Sequence, residues 1–146
     1  MTLVASRDAQ LSPLPARISD LPRRWATETP DALALQEGKS SWTYRQLTVA
    51  ITEAQRHLRK IGVRAGDRVV IVNENCMAVV ALLFAVVELD AWVVLTNARL
   101  TDREIDAIAE NSGARLLLFT HVVSAEAEMH AKRLSATRQD WGSLGE

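Results

Sequence analysis

The chain has 146 residues, with 17 basic and 18 acidic side chains and a formal charge of −1. That is one ordinary domain's worth of polypeptide, and it carries no clustered Lys and Arg of the kind that binds nucleic acid or an anionic membrane. Apolar residues make up 48% of it, which excludes a disordered tail. Its single cysteine, Cys76, excludes an intrachain disulfide and a multi-cysteine zinc site, and suits a reducing, cytoplasmic compartment.

Residues 1–17, with Ser6, Ser12, Pro13 and Pro15, read as a loosely ordered lead-in without the basic start and apolar run of a secretory signal. Asp20 then opens a helix with Pro22 in its first turn, where a missing N–H costs nothing, and Pro30 closes the element. Ile18, Leu21 and Trp25 share one face of it. The beta-prone pieces Ala32 to Gln36 and Ser41 to Trp42 flank the turn Glu37-Gly38-Lys39-Ser40 and predict a hairpin. Thr43 is a helix cap. After it Leu47, Ala50, Ile51, Ala54, Leu58 and Ile61 recur at three and four residues, the stripe of a long amphipathic helix that Gly62 ends. The turn Val63 to Asp67 leads into a buried strand from Arg68 to Val72.

From Cys76 to Leu95 only Glu88 and Asp90 are charged, so the stretch imitates a membrane span. Two carboxylates near a bilayer centre would cost about 3 kcal/mol each, and the residues change character at that point. A buried helix from about Cys76 to Glu88, opened by Asn75, followed by a strand from Ala91 to Thr96, fits better than a span. Thr101 caps an amphipathic helix through about Asn111, with Ile105, Ile108 and Ala109 inward. Gly113 stops it before a strand from Arg115 to Phe119. Ser124 to Leu134 reads as a last helix, and 135–146 as a frayed tail. The three strands start at intervals of 23 and 24 residues with one helix in each gap. This is βαβαβ spacing, and right-handed crossovers make it an α/β fold: a parallel sheet flanked by helices, preceded by a helix and a short hairpin.

Ligands of such sheets bind beyond the carboxyl ends of the strands, here Asn73-Glu74-Asn75, Thr96-Asn97 and Thr120-His121. None of these edges runs into a glycine-rich phosphate loop, and the six glycines are scattered. His57, His121 and His130 have no metal-ligand spacing with one another or with Cys76. His57 borders the long helix's stripe and suits a half-buried ring. Cys76 near a helix start is better placed as a packed core thiol than as a reactive one. Glu88 with Asp90 resembles a carboxylate pair, yet at a helix end it reads as a solvated corner. Trp25, Trp42, Trp92 and Trp141 are too dispersed for a stacking platform. We therefore assign no catalytic, cofactor-binding or metal-ligating residue from the sequence.

Six short motifs in one order, from Asp31 to Thr120, carry a resemblance. They are Pro30-Asp31-Ala32-Leu33-Ala34-Leu35, Trp42-Thr43-Tyr44-Arg45-Gln46-Leu47, Ile61-Gly62-Val63-Arg64-Ala65-Gly66-Asp67-Arg68-Val69, Asn75, Asn97-Ala98-Arg99-Leu100-Thr101 and Ser112-Gly113-Ala114-Arg115. Together they resemble the start of the adenylate-forming, AMP-binding ligases, with the acyl- and aryl-CoA synthetase branch nearest. Two positions depart from that pattern: Asp90 stands where the family usually has glycine, and Leu95 where it has proline.

The resemblance implies a partial N-terminal α/β domain of an acyl-CoA synthetase over 18–134. It implies a whole enzyme that joins a carboxylic acid to CoA through an acyl-adenylate, using ATP and magnesium. The family's phosphate loop and adenylation lysine belong to later motifs, so the fragment alone is expected to be inactive. Tyr44 and Leu47 then serve as core contacts, Gly62, Gly66 and Asp67 as turn formers, Asn75 and Thr101 as caps, and Arg99 as a surface or inter-strand contact. The alternative is an interaction module that pairs with itself or a partner, because faces normally covered by the rest of a ligase would be open.

Overall fold

The computed structural model describes residues 14–145, so most of the lead-in expected over 1–17 lies outside the described residues. In chain order the elements are α1 (Asp20–Glu28), β1 (Leu33–Glu37), β2 (Ser40–Thr43), α2 (Tyr44–Lys60), β3 (Arg68–Asn73), α3 (Met77–Val87), β4 (Trp92–Asn97), α4 (Asp102–Ser112), β5 (Leu116–Phe119) and α5 (Ala125–Arg133). A 3₁₀ turn spans Gly142–Leu144. The hairpin β1–β2 is antiparallel, whereas β3, β4 and β5 form a parallel sheet in the order β4-β3-β5.

Strand β3 is the middle of that sheet. Val69, Val70, Ile71 and Val72 are fully buried, because each face of the strand meets a helical layer. Val69 and Ile71 join one core with α2 and α3. Val70 and Val72 join a second with Ile105 of α4 and Ala127 of α5. A continuous Val/Ile run is what a parallel strand buried on both faces requires. Consecutive crossovers thus deposit α3 on one face and α4 on the other, the arrangement of a doubly wound sheet.

The helices start and stop where local chemistry dictates. Thr43 accepts the Gln46 N–H while the Gln46 side chain accepts the Thr43 N–H, and Thr101 with Glu104 repeats this capping box at α4. Gly113 ends α4 at φ 59°, where an added Cβ would lie 2.9 Å from Arg68 Nη2. The apolar helix α3 has no exposed residue and only 11 residues. Among the described residues no helix is long and apolar enough to cross a membrane.

Three expectations need correction. Asn75 does not cap α3: it is exposed, Cys76 occupies the N-cap, and the Glu37 carboxylate at the end of β1 accepts the Met77 N–H at 2.6 Å. Leu21 and Trp25 of α1 and the preceding Ile18 stand 44%, 40% and 50% exposed. At the Glu88–Asp90 corner Asp90 is solvated, its side chain 59% exposed, but Glu88 is not. Arg23 donates to Glu88 at 2.7 Å, leaving its side chain 12% exposed, and Arg17 pairs with Asp90 at 2.8 Å. The stretch read as a frayed tail also packs at one point. Trp141 is buried and stacks on His57 with ring centroids 5.2 Å apart, while the Ser143 N–H donates to Glu53.

Asp90 explains its own departure from the family pattern. Its φ is +56°, in the left-handed region that glycine enters freely and that aspartate tolerates better than most residues. Leu95, at the family's proline position, lies on edge strand β4, the part of a sheet where proline is also accepted.

Two outcomes follow for stability. Asp90→Val should cost about 1–2 kcal/mol in denaturant unfolding, since a β-branched residue is strained at that φ. Asp90→Asn should stay within about 0.5 kcal/mol, because it keeps the tolerant side chain and loses only an exposed ion pair; equal losses for both would contradict the backbone argument. The second outcome concerns Glu88. Burial works against its carboxylate, but the Arg23 hydrogen bond and the Arg23 and Arg17 charges outweigh it and hold its pKa below the usual value of 4.5. A carboxyl with a depressed folded pKa contributes stability above its unfolded pKa and loses it as pH falls through the folded value. Thermal melts from pH 6 to pH 3 should therefore fall more steeply for the native chain than for Glu88→Gln, and parallel curves would refute this.

Candidate functional site

The carboxyl edge of the sheet was the expected place for a ligand, and its residues lie together there. Asn73 and Asn97 are paired in register at the ends of β3 and β4. Arg99 crosses from the β4 loop to Glu74 in the β3 loop at 2.9 Å, with 73% of its side chain exposed, so it makes a surface ion pair. Asn97 accepts the Arg99 N–H and shapes that loop. Thr120, buried at the end of β5, accepts the Glu74 N–H. These contacts are mutual supports of the loops.

His130 is the member of this edge that sequence spacing did not reveal. It is 1% exposed, and its Nε2 lies 3.2 Å from the Ala98 carbonyl and 3.1 Å from that of Leu100. Its Nδ1 faces Asp102 Oδ1 at 3.2 Å. The ring thus fastens α5 to the loop that precedes α4. The partners are some thirty residues away, so no local pattern could announce it. His57 is half-buried, as its place beside the stripe implied.

Beside the edge, on the α3 face, a cleft of about 350 Å3 opens between the hairpin, the start of α3, the end of β5 and the Trp141 turn. Its wall includes Glu37, Trp42, Cys76, Phe119, Thr120 and Trp141. Burial pushes the Cys76 thiol up, against the pull of the Val79 and Ala78 N–H groups, so it is a protonated core thiol and a poor nucleophile at neutral pH.

The described residues of the cleft do not fit a nucleoside triphosphate. Among the described residues no Lys, Arg or His lines the cleft, and the first donor of α3 is already taken by Glu37, which offsets the positive helix start. Among the described residues no group of three or more His, Cys, Asp or Glu is placed to hold a metal ion. The chemistry this arrangement supports is burial of an apolar or aromatic group, with one carboxylate as acceptor.

Comparison with known proteins gives the scaffold its kinship. The family model described as AMP-binding enzyme matches residues 22–143. A feruloyl-CoA synthase from an Amycolatopsis species is 36% identical over 99 residues, which cover 68% of this chain and 20% of that protein. The 2-succinylbenzoate–CoA ligase of Geobacillus kaustophilus is 33% identical over 90 residues, 62% of this chain and 18% of the ligase. The chain thus spans about a fifth of the length of these curated relatives. Among solved structures, the N-terminal domain of FACL13 from Mycobacterium tuberculosis superposes with a TM-score of 0.74 at 24% identity, over 84% of this chain and 30% of that one, and shares its fold. With the family model covering most of the chain, and the capped helices and parallel sheet of the N-terminal part in place, this chain belongs to the AMP-binding enzyme family.

Proposed function

We propose that the chain is the N-terminal portion of an ATP-dependent carboxylic acid–CoA ligase of a reducing, cytoplasmic compartment, and that it acts there as scaffold. In such an enzyme a carboxylate attacks the α-phosphorus of ATP and expels pyrophosphate, and the CoA thiol then displaces AMP from the acyl-adenylate. The observation that carries the reading is the ordered match over residues 22–143 together with CoA ligases among the relatives. Further support comes from where the matched motifs spend their side chains. Thr43 and Thr101 close capping boxes, Asp67 accepts the Arg64 N–H, and Leu47 is buried, so each is committed to structure. ATP, magnesium, CoA and the acid are then gripped by parts of the enzyme that this stretch does not include.

A second reading, an interaction module, has one observation in its favour. Strand β4 is an edge of the described sheet, and it exposes Trp92 at 67% and Leu95 at 49%. An uncharged, open edge of this kind is a template for pairing with another chain.

The ligase reading predicts that the purified 146-residue chain gives no ATP–pyrophosphate exchange above blank with aromatic or aliphatic acids; measurable exchange would overturn its purely supporting role. The module reading predicts concentration-dependent association in light scattering that Trp92→Lys abolishes. A monomer at every concentration would remove it.

A further inference from the structure

The cleft has properties that the ligase reading leaves unused. At about 350 Å3 it falls within the range of small-ligand sites. Three aromatic residues, Trp42, Phe119 and Trp141, contribute to its wall, together with Leu118 and Leu82. Among the described residues Glu37 is the one carboxylate on that wall, and no cationic side chain lines it. The Met77 N–H occupies Oε2 of Glu37 at 2.6 Å, yet a carboxylate has about four acceptor sites on its two oxygens, so capacity remains. An anion entering this space would meet a like charge and no free helix-start donor at Met77. A cation would meet a carboxylate and aromatic side chains.

We propose that this cleft is a binding site for a small aromatic cation, an aryl-alkyl ammonium whose ring packs on the aromatic wall and whose ammonium is held by Glu37. The site does not depend on the ligase assignment. Activation of an acid needs the opposite charge preference, so loss of either reading leaves the other standing.

Calorimetry and amide NMR on the 146-residue chain test it with three probes of matched shape: 2-phenylethylammonium, the neutral 2-phenylethanol and the anionic 3-phenylpropionate. The ammonium should bind most tightly and the carboxylate most weakly, with amide shifts at Cys76, Met77 and Thr120. Glu37→Gln should weaken the ammonium about fivefold or more, towards the level of the alcohol, and leave the alcohol unchanged. Because that variant also alters the cap of α3, two independent measurements accompany it. Raising salt should weaken the ammonium alone, and Ser40→Trp, at an exposed position on the cleft wall, should weaken ammonium and alcohol together. Carboxylate binding as tight as the ammonium, saturable shifts elsewhere, no binding of any probe at millimolar concentration, or salt-independent ammonium binding would each overturn the proposal.

Discussion

Burial of β3 on both faces and along both edges is the constraint on which the rest of the structure rests. A strand with four consecutive fully buried residues can exist only if two partner strands satisfy its backbone and two helical layers cover its side chains. The parallel pairings with β4 and β5 meet the first demand. The second requires connections that place α3 and α4 on opposite faces, which is what right-handed crossovers to strands on either side of β3 produce. The two cores are consequences of this single placement, and the loops at the carboxyl edge are brought together by the same geometry.

Around that centre the molecule uses side chains of distant segments to finish what local sequence leaves open. Helix α3 has no capping side chain of its own, and the hairpin delivers Glu37 to its first N–H. The corner after α3 is held by Arg17 and Arg23 from the segment around the start of α1. The loop before α4 is fastened by His130 from α5. Each is a polar contact between elements that the chain visits far apart, and each serves to fix one loop relative to the sheet.

These fastenings also determine what the surface can do. By turning Glu37 onto the start of α3, the fold converts a helix N-terminus, ordinarily attractive to anions, into a place of negative character bordered by aromatic rings. The same chain therefore carries the architecture of an AMP-binding enzyme together with a cleft that no described Lys, Arg or His lines. Elsewhere apolar side chains stand open at β4 and along α1, in a chain that spans about a fifth of the length of the curated relatives it matches.

The sequence by itself determined the order of elements, the helix caps at Thr43 and Thr101, the parallel class of the sheet and the family, because these depend on residues within a few positions of one another or on strand spacing. It also placed the turn at Gly62 and the burial of Cys76. It misassigned Asn75, Glu88 and the packing of Trp141, since in each case the deciding partner lies tens of residues away. The cleft belongs to the same class: Glu37, Cys76, Thr120 and Trp141 have no sequence spacing in common. Only the tertiary structure brings them onto one wall, because the strand order β4-β3-β5 sets the end of β5 beside the start of α3.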